Sequence, residues 1–244
     1  METILITIND VRQYRQISKQ VNADNFTAYA RSIQRRQLSD LLGKPLYTDL
    51  QKWIATGWAN EAATSFRKDS AYTFTALGAD LSTLATKDIK ISTEVFNVLS
   101  AVYDSTDTLV TVSEARELPN TIATVESKAA SVYTSLLNGA EYTNTDGDDV
   151  QYYGLRAFLA WHWLSMYTTD GTLKQADAGN VNFTDSVYNL ADGAQLKRAK
   201  DVYLSESVSA GNDIIEYMDA NESAFGLWDS KSESSVKAFD FFVI

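Results

Sequence analysis

The sequence predicts a mainly α fold: a helical bundle with a β-rich insertion and an extended C-terminal arm. Three observations lead there. Apolar residues recur at spacings of three and four before residue 58 and again after residue 120. In the second region a helix is apolar nearly all the way round, with Leu155, Phe158, Leu159, Trp161, Trp163, Leu164, Met166 and Tyr167, so it must be covered on most sides. Between the two regions, residues 72–119 lose the helical period and fill with Thr, Ser, Val and Ile, a composition that suits strands.

Taken in order, residues 3–8 (TILITI) read as a short strand or extended arm, and Asn9 as the cap of a short helix over 10–16. A strong helix follows Asn22 or Asn25, with Phe26, Tyr29, Ala30, Ile33, Leu38, Leu41 and Leu42 along one side. Gly43 suits its end and Pro45 the first turn of the next helix, which carries Leu46, Leu50, Trp53 and Ile54 and stops near Gly57. Strands are expected at 89–91, 95–103 and 108–112, with Asp104-Ser105-Thr106-Asp107 as a hairpin loop. From Thr121 the spacing of Ile122, Val125, Ala129, Val132 and Leu136 predicts a helix ending at Asn138-Gly139. An acidic turn leads to the aromatic helix, expected over about 150–169 with Asp148 or Asp149 as its cap. Residues 170–185 read as a polar loop. A final helix over 193–222 has Leu196, Tyr203, Ala210 and Tyr217 seven apart, with Gly211 a weak point.

The chain has 244 residues, 45% hydrophobic and 22% charged, which are globular proportions and ample for a core. No apolar run approaches the roughly 18 residues that span a bilayer, so no membrane partner is expected. The first residues lack a basic start and a small-residue cleavage site, so the chain is expected to stay in the cell that makes it. A net charge of −11 opposes adhesion to nucleic acid, whose binding rests on Lys and Arg displacing counterions. An acidic wall can still let a duplex slide past without sticking.

The chemistry-bearing residues point away from catalysis. Without Cys there is no thiolate metal site or Cys nucleophile, and His162 is the one histidine. It lacks a sequence partner for acid–base work and reads as a packed residue. Asn144-Thr145-Asp146-Gly147-Asp148-Asp149 mimics a calcium loop but misplaces its glycine and lacks the closing Glu. Glu126 and Lys128 echo a nuclease pattern, yet on the expected helix they face different sides and read as solvated. Arg31, Arg35, Arg36 and Lys44 read as a helix surface or ion-pair interface. No catalytic residue, metal ligand or cofactor is assigned.

The last residues pair a polar, Ser-rich tether (229–237) with Phe239, Phe241, Phe242, Val243 and Ile244. Each exposed Phe forgoes about 1.5–3 kcal/mol of burial, which suits either a docking arm or a strand folded back on its own domain.

The series TINDVRQY, LLGKPLYTDLQKW, YTSLLNGAEY and YYGLRAFLAWHWLSMY, closed by a long helix, resembles the head–tail connector, or adaptor, proteins of tailed bacteriophages, most nearly those of phages of Bacteroidetes hosts, crAss-like phages included. It covers residues 8–58 and 121–228 and leaves the β-rich stretch unexplained. The resemblance implies a non-enzymatic homo-oligomeric ring, usually a dodecamer, in the virion at the head–tail junction and made in the host cytoplasm. Its partners would be the portal protein and tail or further ring proteins, with double-stranded DNA crossing the lumen without sequence-specific binding. On this reading residues 1–58 and 120–228 form the helical adaptor body, 72–119 the insertion and 229–244 the docking arm. Phe239, Phe241, Phe242, Val243 and Ile244 would bind the portal or a neighbouring subunit. The alternatives are another tail or neck completion ring protein and, from a different class, a metal-dependent hydrolase or nuclease.

Overall fold

A computed structural model describes residues 3–14, 23–144, 146–173 and 193–228. The described residues divide into two compact units: those within 1–48, 143–148 and 155–244 form one, and those within 49–142 and 149–154 the other.

The first unit is helical. Residues 3–7 are not regular strand. The buried Gln34 side chain serves them as a backbone would, accepting the Leu5 N–H at 2.7 Å and donating to the Thr3 carbonyl at 2.8 Å. Helix α1 (Ile8–Tyr14) is capped by Thr7 rather than Asn9. The Thr7 backbone N–H and hydroxyl donate to the Asp10 carboxylate at 2.5 and 2.8 Å, and the Asp10 N–H donates back to the Thr7 hydroxyl oxygen at 3.4 Å, a reciprocal arrangement that satisfies a free amide of the first turn. Helix α2 (Ala23–Ala55) breaks where expected: Gly43 sits at φ 73°, ψ 151°, a conformation essentially confined to glycine, two residues before Pro45.

Helix α4 (Gly154–Leu173) occupies the centre of this unit, with Leu155, Phe158, Leu159, Ala160, Trp163 and Leu164 buried. Its rings meet three other helices. Trp163 packs on Phe26 of α2 with centroids 5.1 Å apart, and Trp161 on Tyr14 of α1 at 4.7 Å. Trp161 also stacks on Tyr203 of α5 (Gly193–Ala220) at 5.9 Å. In α5, Tyr203, Ala210, Ile214 and Tyr217 are buried, and the helix runs through Gly211.

The second unit overturns the mainly α expectation. It is a curled, half-barrel-like antiparallel sheet of seven strands: β1 (Ala59–Asn60), β2 (Ser65–Lys68), β3 (Thr73–Leu77), β4 (Lys87–Ile91), β5 (Glu94–Tyr103), β6 (Thr108–Val112) and β7 (Glu126–Ala129), ordered β1-β7-β4-β5-β6-β3-β2. It is no insertion confined to 72–119, because β1, β2 and β7 lie outside those bounds. Strand β5 joins its two halves. Residues 94–97 pair with β4, residues 98–103 pair with β6, and a bulge at Leu99 marks the change. A bulge bends a strand and raises its twist, which is how one strand serves both halves of a curled sheet. Phe74, Leu84, Ile89, Phe96, Val110 and Val112 fill the concave side with Leu118, Ile122 and Val125.

The helix expected from Thr121 is also corrected. Residues 126–129 are strand β7, and only α3 (Val132–Asn138) is helical. Residues 149–152, assigned to the start of the aromatic helix, form β9 (Asp149–Tyr152), which pairs with β8 (Ala140–Thr143). Asp148 and Asp149 therefore cap no helix.

Candidate interaction surface

An aliphatic patch on the outer face of the sheet is the feature of the second unit that packing does not explain. Strand alternation sends Val98, Ala101, Val110 and Val112 toward the core and their neighbours outward. Outward, Val102 and Leu109 are cross-strand partners and are 61% and 46% exposed, with Leu99 on the bulge at 64%. Tyr103, at the end of the hairpin, is also exposed. The same row continues from Leu109 to Thr75 of β3 and Arg67 of β2. There it turns polar. Thr75 donates to Asp69 at 2.6 Å, and Arg67 pairs with Asp69 at 2.9 Å. An apolar centre with a hydrogen-bonded polar margin is the anatomy of a protein-binding patch. The Asp104–Asp107 turn holds the hairpin in shape, its Asp104 carboxylate accepting the Thr106 and Asp107 N–H groups.

The basic residues around this sheet are engaged. Lys87 pairs with Glu61 at 3.2 Å, Arg116 with Glu94 at 2.9 Å, and Lys90 with Glu126. Lys128 donates to the Trp53 and Thr56 carbonyls, both at 3.0 Å, closing the C-terminus of α2. Its ammonium lies 5.0 Å from the Trp53 ring centroid and 5.6 Å from that of Trp58. Burial lowers its pKa, while Asp49 and Asp88 push it back. Glu126 and Lys128 thus sit two apart on a strand, on one face, and are paired rather than merely solvated.

Asp88 on β4 is fully buried and ties that strand to α3. Its carboxylate accepts the Ser131 N–H at 2.7 Å, the Thr134 hydroxyl at 2.7 Å and the Asn97 amide at 3.2 Å. Burial pushes its pKa up to about 6, against the pull of those donors and of Lys128. The folded form therefore holds the proton more tightly than the unfolded chain. Its contribution to stability is greatest below pH 4 and is lost as pH rises through about 6. Asp88→Asn keeps an acceptor toward Ser131 and Thr134, and is expected to flatten stability between pH 4 and 7 relative to wild type. Urea unfolding at several pH values checks this, with a difference of at most about 3 kcal/mol expected across that window.

The other chemical candidates fall into structural roles. His162 is buried on α4, ring to ring with Phe158, with Nδ1 3.4 Å from the Ser207 hydroxyl. Burial first and Arg36 second lower its pKa to about 4, so it is neutral at pH 7. The Asn144 side chain accepts the Asp146 and Asp148 N–H groups, which makes residues 144–148 a turn. Among the described residues no three His, Asp or Glu side chains are grouped to hold a metal, and no helix is long and apolar enough to cross a membrane. Arg35, Arg36 and Lys44 are exposed and Arg31 half-buried. The arm residues Phe239, Phe241, Phe242, Val243 and Ile244 lie outside the described residues.

Sequence reasoning missed the patch. Its residues looked like ordinary strand apolars, and the alternation exposing Val102 and Leu109 became readable only with the register. No curated protein and no solved structure matches the chain. A family model of unknown function, DUF6712, matches residues 119–238, a stretch that runs from just before β7 through α5 and leaves the other six strands of the large sheet uncovered.

Proposed function

We propose that this protein is a structural adaptor that assembles into a ring between the portal and tail of a phage particle, extends the DNA channel and offers a platform to tail proteins. The observation that carries its assembly role is the aliphatic patch of Leu99, Val102 and Leu109, held outward on a strongly paired hairpin. Its position in a folded sheet makes it a standing surface for another protein. The phage setting rests on the motif series described above. The charge balance agrees with a channel protein: the net charge is −11, and Lys87, Lys90 and Arg116 of the sheet are paired with carboxylates, which weakens any grip on a phosphate backbone.

A charge on the patch is the direct test. Val102→Asp with Leu109→Asp is expected to leave the fold intact, because both side chains already face water. It should at least halve the assembled fraction seen by mass photometry, or abolish capture of the portal. Unchanged assembly and capture in the doubly charged variant would rule the patch out as the contact.

A further inference from the structure

The sheet has an open edge at β2, and its geometry specifies what fits there. The Asp69 N–H donates to the Thr73 carbonyl, so the hydrogen-bonded partners in this antiparallel pair are 69/73, 67/75 and 65/77. Phe66 and Lys68, at the alternate positions, therefore turn their backbone N–H and C=O groups away from β3. Among the described residues no other strand pairs there. The Lys68 ammonium, which could guard the edge, is drawn back to the Leu118 carbonyl at 2.6 Å. On the concave side the core reaches the edge in Phe66, half-buried and edge-on to Phe74 with centroids 6.1 Å apart. On the convex side stands Arg67, its side chain 62% exposed. An occupant must be an extended segment with apolar side chains on one face and an acid on the other.

We infer that residues 238–244 of a neighbouring copy add to β2 as an eighth strand. In extended form, Phe239, Phe241 and Val243 fall on one face, and Asp240 shares the other with Phe242 and Ile244. The Phe face extends the core past Phe66, and Asp240 comes beside Arg67. The nine residues 229–237, polar and Ser-rich, reach at most about 30 Å beyond Trp228, enough to cross to a neighbouring subunit. Trp228 fixes the departure point, its indole N–H donating to Asp219 at 2.7 Å. Strand addition of this kind draws affinity from main-chain hydrogen bonds and register from alternate side chains. Donation by a neighbour rests on the ring reading; the fit of the segment to the edge does not.

Hydrogen exchange at the Phe66 and Lys68 amides reads the edge directly. In the full-length assembled protein they are expected to exchange at least roughly tenfold more slowly than in a chain truncated after Ser235, because an amide in a ladder opens only with its partner strand. A synthetic peptide of residues 236–244 should restore the protection. Since the chain has no Cys, mixing Arg67→Cys and Asp240→Cys proteins should give a disulfide-linked pair of chains under mild oxidation. Equal exchange with and without the segment would overturn the inference. So would protection that appears in dilute monomer, with cross-linking only when both cysteines share one chain. Rings that form normally from the truncated protein would leave the adaptor reading standing while removing this contact; absence of rings from full-length and truncated chains alike would remove the adaptor reading itself.

Discussion

Gly139→Ala and Gly154→Ala are each expected to destabilise the second unit severely. Gly139 ends α3 at φ 91°, ψ 163°, a region closed to other residues. An added Cβ there would strike the Tyr152 carbonyl and come within 2.9 Å of the Tyr153 backbone. From the other side, a Cβ on Gly154 would meet the Leu137 carbonyl at 2.7 Å and the Asn138 backbone at 2.8 Å. Two stretches of main chain cross here with no room between them, and main chain cannot swing aside as a side chain can. Strain plus overpacking puts the loss on the order of 4 kcal/mol, a large part of the total stability of a typical domain. Soluble yield and the urea midpoint check it. Gly226→Ala, where a Cβ meets nothing within 4 Å, is the control expected to be silent. A wild-type midpoint for Gly139→Ala would mean that the crossing is not so close.

Trp163→Ala is expected to cost about 3–5 kcal/mol and Leu159→Ala about 2–5 kcal/mol in the helical unit. Both side chains are almost wholly buried on α4. Trp163 packs on Phe26 and stacks on Tyr167 at 4.5 Å, so its loss opens a large cavity between α2 and α4. Met166→Ala, on the same helix but 39% exposed, should change stability far less. Chemical denaturation followed by tryptophan fluorescence and circular dichroism separates the three. Equal effects at Leu159 and Met166 would contradict the central placing of α4.

The helical unit was largely legible in the sequence because its signals are local. Gly43 before Pro45 marks a break that backbone conformation demands, and the all-round apolar character of residues 155–167 demands a central position. The strands at 87–91, 94–103 and 108–112 were legible for a similar reason, since β-branched runs around an Asp-rich turn leave few other structures. The extent of the sheet was not. Ile122, Val125 and Ala129 are spaced three and four apart as on a helix, but residues 126–129 follow a period of two, with Ser127 inward and Glu126 and Lys128 together. Four residues are too few to separate those periods. The Asp-Gly turn before α4 also resembles a helix cap, which hid β9. Lys128 on Trp53 and Trp58, and Asp88 on Ser131 and Thr134, join positions more than 40 apart in sequence, and no local pattern announces them.

Assembly is the central claim, and electron microscopy of the purified full-length protein, alone and mixed with the portal of the same particle, tests it most directly. The account predicts a closed ring of this chain stacked on the portal, with the β5–β6 hairpin in a contact between proteins. A chain that stays a 27.1 kDa monomer in both samples, with its hairpin facing solvent, would contradict it.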